Sequence, residues 1–140
     1  MADIENTKVL FELVTPMVLA VSEDVDMVVV PGVDGDFGVL PGHTPVLTTI
    51  RPGVINMYTE SKVTKSLFVE GGFAEVNPQG CIVLAEAVID VAEISAGDAQ
   101  ARLATARDEL LNNINDASAK NEVKVAKAMV MAAGGNSTQH

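Results

Sequence analysis

Tryptophan is absent from this chain of 140 residues, and aromatic side chains make up only 4% of it. Apolar residues still reach 48%, so a core is available, but it must be built mainly from Val, Leu, Ile and Ala. Cysteine is nearly absent as well. Cys81 stands alone, so no intramolecular disulfide is possible and the fold needs no oxidising compartment. Of the two histidines, His140 is in the tail and only His43 lies in the body of the chain. No Cys/His cluster has zinc spacing. Bases are scarce too: 9 Lys and Arg face 19 Asp and Glu, for a net charge of −10. Nucleic acids and anionic membranes are gripped through clustered Lys and Arg, so this balance argues against both as partners. No apolar run approaches the ~20 residues that cross a bilayer. The opening Met1-Ala2-Asp3-Ile4-Glu5-Asn6 is too polar and acidic for a signal or transit peptide. The expectation is a soluble, cytoplasmic bacterial protein.

The charge that is present is uneven. Residues 1–90 carry 13 acids and 4 bases, a net −9, and residues 91–140 carry 6 acids and 5 bases, a net −1. A basic protein partner for the first part fits this split, and so does a merely self-repelling, soluble surface.

Strand-like runs fill the first part. They are Lys8–Val14, Met17–Val21, Met27–Val30, Val46–Ile50, Gly53–Thr59, Ser66–Glu70, Gly72–Val76 and Cys81–Ala85. Most are bounded by Gly, Pro, Asn or Asp, and Asn77-Pro78-Gln79-Gly80 reads as a turn between two of them. Short strands at close spacing predict an antiparallel sandwich or barrel. With no helical pattern between them, a parallel α/β sheet is disfavoured.

The period changes near residue 90. Ser95-Ala96-Gly97-Asp98 has the form of a capping box. Ala99, Leu103, Ala106, Leu110 and Ile114 follow at spacings of four, three, four and four, one face of a helix. Asn112-Asn113 and Asn115-Asp116 suit a turn, and Asp116 or Ser118 suits the cap of a second helix. Its stripe is Ala119, Val123, Ala126, Val130 and Ala133, with Gly134-Gly135 as the expected stop and a frayed tail beyond. Two helices joined by a short turn lie antiparallel. Their facing side chains are mostly Ala and Val, and even a fully buried Val contributes only about 1.5–3 kcal/mol. Two readings stand: a hairpin that docks weakly and comes away, and an ordinary permanently packed one. The expected division is residues 1–88 as a sandwich and 89–140 as a helical hairpin.

The chemistry candidates are few. Gly32 to Pro45 is dense in glycine but lacks the Gly-Lys-Ser/Thr ending of a phosphate loop, and Asp34 and Asp36 would repel phosphate. Tight turns between strands explain these glycines better. Asp34, Asp36 and His43 form the one conceivable catalytic or metal set, but no Ser or Cys sits in a nucleophile motif and the ligands are too few. Asp36 and His43 read better as loop residues at a protein interface, or as a turn carboxylate and a loop imidazole without a role. Glu70-Gly71-Gly72-Phe73 suits a bulge or sharp bend. Lys120, Lys124 and Lys127 form a basic stripe, which is a solvated face unless the helix extends to meet an acidic partner.

Four blocks then carry a resemblance. They are Gly35-Asp36-Phe37-Gly38-Val39-Leu40-Pro41-Gly42-His43-Thr44-Pro45-Val46-Leu47, then Pro52-Gly53, then Phe68-Val69-Glu70-Gly71-Gly72-Phe73-Ala74-Glu75-Val76, then Val83-Leu84-Ala85-Glu86. In order and spacing they resemble the epsilon subunit of bacterial F-type ATP synthase, strongly to residue 90 and weakly beyond. The resemblance implies a ten-stranded antiparallel β-sandwich followed by an antiparallel two-helix hairpin. It implies a central-stalk subunit of the F1 sector with no active site of its own and no cofactor. Its implied partners are the gamma subunit, the c-ring, and the alpha/beta catalytic ring if the hairpin extends to inhibit ATP hydrolysis. The implied location is peripheral, at the cytoplasmic face of the bacterial inner membrane, with Asp36 and nearby His43 facing the c-ring loops. Hairpin packing falls to Leu103, Ala106, Leu110, Val123, Ala126 and Val130. Lys120, Lys124 and Lys127 turn toward the catalytic ring.

Some members of that family bind ATP through Ile/Leu-Asp-x-x-Arg-Ala at the start of the first helix. The matching stretch is read as Ile89-Asp90-Val91-Ala92-Glu93-Ile94, where Glu93 stands in place of the arginine and would repel a triphosphate. The second helix has lysines but no arginine for bidentate phosphate contacts. The expectation is that ATP is not bound tightly. Against a rotor subunit stand two readings from other classes, a nucleotide sensor on the hairpin and an enzyme using Asp36 and His43.

Overall fold

The computed structural model describes residues 7–138. The polar N-terminal stretch and His140 lie outside the described residues. Ten strands come first: β1 (Val9–Val14), β2 (Leu19–Val25), β3 (Met27–Gly32), β4 (Gly35–Val39), β5 (Val46–Ile50), β6 (Gly53–Thr59), β7 (Lys62–Val69), β8 (Gly72–Asn77), β9 (Gly80–Ala85) and β10 (Val88–Asp90). A 3-10 turn, Val91–Glu93, leads to α1 (Ala96–Asn112) and α2 (Ala117–Thr138).

Hydrogen bonding runs β10-β7-β6-β3-β5-β8-β9-β1-β2, with β4 on β3. The path doubles over, so that β1 meets β3 and β2 meets β6 across the interior. Strand alternation then points Val9, Phe11 and Leu13 of β1 inward among Val28, Val30, Ile55, Met57 and Val83. The core is aliphatic apart from Phe11, Met57 and Cys81, with Phe37 packed partly against it, and among the described residues no charged or polar residue is buried in it. Pairing is antiparallel except for β1 with β9, which run parallel. An all-antiparallel sheet was expected; a parallel pair needs a long crossover, and the whole circuit from β2 to β8 supplies it.

Two strands escape the residue pattern. β4 lies inside the glycine-dense stretch that reads as turns, and β10 occupies Val88–Asp90, pairing Ile89 with Phe68 and Asp90 with Leu67. The sheet therefore runs on through Asp90.

Turn chemistry follows the sequence. The Asn77 side chain accepts bonds from the Gln79 and Gly80 amides at 2.9 and 3.0 Å, which closes the β8–β9 turn. Ser95 caps α1 by accepting from the Asp98 amide at 3.2 Å. Asp116 caps α2 by accepting from the Ser118 amide at 3.0 Å. Two helical expectations are corrected. Ile114 falls in the turn and is 63% exposed, because α1 has already ended at Asn112. α2 also runs past Gly134-Gly135 to Thr138, so the glycines do not stop it. A glycine pair weakens a helix by roughly 1 kcal/mol each but does not forbid the helical conformation.

Candidate functional site

Three surfaces hold the candidate residues. The first is the loop cleft. The β3–β4 hairpin carries Asp36, whose Oδ1 takes a bond from Arg51 Nη2 at 2.6 Å. Arg51 Nη1 also donates to the Gly32 carbonyl at 2.5 Å, so one guanidinium ties the hairpin to the β5–β6 corner. The following loop is pinned by the Gly42 amide, which donates to the Pro78 carbonyl at 3.1 Å, and Gly42 has φ +80°, a conformation that favours glycine. His43 Nδ1 lies 2.6 Å from the Thr44 carbonyl. Asp36 and His43, expected together, do line one cleft of about 400 Å3 with Asp34, Phe37, Val46 and Thr48. The Asp36 carboxylate is already engaged by Arg51. Among the described residues no group of three His, Cys, Asp or Glu is placed to hold a metal ion.

The second surface is the outer face of β5-β8-β9-β1-β2. Register aligns Thr49, Phe73, Leu84, Val14 and Leu19 in one row across five strands. Phe73 is 54% exposed, Leu84 53% and Leu19 54%, and Met17, Val18 and Leu47 are exposed nearby. A hollow of about 290 Å3 opens between Phe73, Leu84, Val14 and Pro16. The alternation of β8, with Ala74 and Val76 inward, puts Phe73 and Glu75 outward. Sequence reasoning did not single out this row, although the period-two pattern of β8 contained the signal for Phe73.

The third surface lies between the hairpin and the sheet. Leu103, Ala106 and Ala126 are buried in the helix–helix seam with Val123 and Val130 partly buried against them, and Leu110 is half-buried near its open end. α2 has a second apolar face that the stripe did not reveal. Val125, with Ala128, Met129 and Ala132, covers Phe68, Val54, Ile89 and Val91. This is why β7 reads as a continuous apolar run: Leu67 and Val69 face the core, and Phe68 faces α2.

Arg102 on α1 sits where the three parts meet. Its Nη1 and Nη2 face the two Glu70 carboxylate oxygens at 2.9 and 3.3 Å, and its Nε and Nη2 face Glu122 of α2 at 2.7 and 3.1 Å. The bonds to Glu122, then those to Glu70, push the guanidinium further toward its charged form. Arg102 in turn holds the Glu122 carboxyl below its ordinary value. Neither Arg102 nor Glu122 was expected to matter, and Glu70 was read only as part of a bend. Their separations of 20 and 32 residues have no periodic signature.

Lys120, Lys124 and Lys127 are exposed on the far side of α2. The stretch read as a degenerate nucleotide motif lies in strand and turn. Ile89 and Asp90 belong to β10 and Glu93 to the 3-10 turn, because pairing with β7 captures this segment before a helix starts. α1 is entered through Ile94 and the cap Ser95, with Asp98 as the acid of its first turn.

Comparison with known proteins agrees with this architecture. Residues 8–91 match the β-sandwich domain of the ATP synthase delta/epsilon chain. The ATP synthase epsilon chain of Rhodospirillum rubrum is 50% identical over 122 residues, covering 87% of this chain and 90% of that protein. That of Paramagnetospirillum magneticum is 50% identical over 128 residues, covering 89% and 96%. Among solved structures, a chain of the Euglena gracilis mitochondrial ATP synthase, solved with OSCP, F1 and the c-ring, superposes with TM-score 0.77 at 20% identity, covering 90% of this chain and 81% of its own. A chain of the Tetrahymena thermophila central stalk and c-ring gives 0.60 at 18%, covering 94% and 97%. At those identities the two structures speak for the fold. The sequence relatives carry the assignment, and by them the chain belongs to the ATP synthase epsilon chain family.

Proposed function

We propose that the chain is a non-catalytic subunit of the central stalk of an F-type ATP synthase, joining the gamma subunit to the c-ring during proton-driven ATP synthesis. It is assigned to the cytoplasmic face of the bacterial inner membrane as a peripheral subunit. Among the described residues no helix is long and apolar enough to cross a membrane. The observation that carries this reading is the row Phe73, Leu84, Val14 and Leu19, an apolar strip on an otherwise acidic sandwich. Contiguous exposed apolar surface of this kind marks a protein interface, and the gamma subunit is the occupant assigned to it. Asp36 and His43, on one cleft at the loop end, are assigned to the polar loops of the c-ring.

The helical part is assigned a regulatory role, reaching the alpha/beta ring through Lys120, Lys124 and Lys127 when it extends. Its seam, where only Leu103 is larger than the Ala106, Ala126, Val123 and Val130 side chains around it, supports this, since small side chains contribute little on burial.

Two experiments test the reading. Phe73→Glu with Leu84→Glu should leave the chain folded and abolish its co-purification with gamma; retained binding would move the gamma surface elsewhere. ATP hydrolysis by a matched F1 complex, with full-length chain and with a chain cut after Ile94, tests the regulatory part. Faster hydrolysis with assembly intact supports an inhibitory hairpin, and an unchanged rate removes that role.

A further inference from the structure

Most of the hairpin's attachment to the sandwich runs through α2, which lies on β6 and the 3-10 turn. α1 packs on α2 instead. Yet α1 supplies the one ion pair that joins a helix to the sheet among the described residues, Arg102 with Glu70. Glu70 stands at the end of β7, where its amide donates to the Ala87 carbonyl and Gly71 and Gly72 follow in positive-φ conformations. β8 and β9 approach closely at this corner, where a Cβ on Gly72 would sit 2.0 Å from the Leu84 carbonyl oxygen, and the Glu70 amide ties the end of β7 to Ala87. The acceptor is therefore fixed to the sandwich and the donor to the hairpin.

The two carboxylates divide the work. Glu122 holds Arg102 within the hairpin, orienting the guanidinium whether or not the hairpin is docked. Glu70 receives it only when the hairpin lies against the sheet. The geometry points to Arg102 and Glu70 as a latch that sets how often the hairpin leaves the sandwich, with Glu122 as the residue that keeps the latch aimed. The latch rests on the regulatory reading above for its use, but not for its existence.

The chain carries a built-in control for a test. Cys81 is fully buried in the sandwich core, and burial pushes its thiol up to about 12, so it reacts only if the sandwich opens. Val125 is buried beneath α2 against Phe68 and Val91, so a thiol placed there by Val125→Cys reports undocking of the hairpin. In the full-length chain, Glu70→Gln should speed labelling of the introduced thiol about tenfold, the size expected for losing a charge-assisted bidentate contact at a part-buried site. Cys81 should stay protected. Raising the salt concentration should speed labelling with Glu70 present and have little effect in Glu70→Gln. Glu122→Gln, which leaves the bond to the sheet in place, should have the smaller effect.

Unchanged labelling in Glu70→Gln overturns the latch. So does an equal gain at Cys81, which would mean general loosening. F1 hydrolysis measured with the same variants separates the two proposals. Faster labelling without any change in hydrolysis keeps the latch and removes the inhibitory role, whereas unchanged labelling removes the latch whatever hydrolysis does.

Discussion

Arg102 and Glu70 meet two atoms on two, with Nη1 to Oε2 at 2.9 Å and Nη2 to Oε1 at 3.3 Å, across 32 residues of chain. Only a planar guanidinium makes that fork and still reaches Glu122 through Nε. Arg102→Lys keeps the charge and loses the fork. The side chains of Arg102 and Glu70 are 28% and 26% exposed, so solvent screens part of the interaction. The expected cost is about 1 kcal/mol, toward the low end for charge-assisted bonds. Urea unfolding followed by circular dichroism at the helical band measures it. No shift in midpoint would mean that a point charge serves as well as the fork.

The Glu122 carboxyl, lowered by the bonds from Arg102, gives the helix seam a pH dependence. A depressed carboxylate contributes stability that is fully present above its unfolded value, about 4.3 for Glu. That stability is lost as pH falls through the lower folded value. The hairpin should therefore be unaffected between pH 8 and about 5 and weaken below about 4. In Glu122→Gln this part of the acid dependence should disappear, as judged by melting temperatures across the range. An identical acid profile in the variant would assign the dependence to other carboxylates.

The strands were legible where apolar residues alternate between turn residues, and β5 and β6 fall on their expected bounds. β4 was not, because Gly35, Asp36 and Gly38 carry little strand preference; pairing with β3 makes this segment a strand. β10 is three residues long and is held by β7 alone. The seam between the helices could be read from Leu103, Ala106, Val123 and Ala126, since both partners sit on local periods. The second face of α2 could not, because Val125 is apolar only with respect to Phe68, a residue 57 positions earlier whose outward orientation depends on the sheet register. Asp36 and His43 line one cleft, while Arg51 as the partner of Asp36 emerges only when β3, β4 and β5 pair.

Gly72 tests how much of the corner is imposed by the backbone. Its φ is +149° and a Cβ would lie 2.0 Å from the Leu84 carbonyl oxygen and 3.0 Å from the Ala85 Cα. No rotamer relieves a clash with backbone. Gly72→Ala should therefore cost about 3 kcal/mol or more, from strain and from displacement of β9. Gly97→Ala is the control, since its added carbon would meet only the Ser95 hydroxyl at 3.8 Å and lies in the first turn of α1. It should be neutral or slightly stabilising. A Gly72→Ala loss as small as that of Gly97→Ala, measured by chemical unfolding, would show that the corner is more yielding than its geometry implies.

The β6–β7 turn pulls the other way. Glu60 and Ser61 both take positive φ, +54° and +67°, without being glycine. Such a conformation costs an ordinary residue about 1–2 kcal/mol, so something must hold the turn. Asp26 does: its Oδ2 accepts from the Glu60 amide at 2.6 Å while Oδ1 meets Lys8 Nζ at 2.5 Å. The Glu60 amide, and after it Lys8, hold the Asp26 carboxyl below its ordinary value. By the same linkage its contribution is present above the unfolded Asp value, about 3.9, and fades as pH falls through the folded one. Ser61→Gly removes strain at a position the Asp26 bond does not touch. After the entropy that glycine adds to the unfolded chain, the net gain should be about 0.5–1 kcal/mol. Because Asp26 keeps its bond, the gain should be the same at pH 7 and at pH 4. Asp26→Asn should behave in the opposite sense, lowering the melting temperature near neutrality and flattening its fall in acid. If Ser61→Gly destabilises the chain instead, the turn is held by the Ser61 side chain, and the strain assigned to its φ is already compensated there.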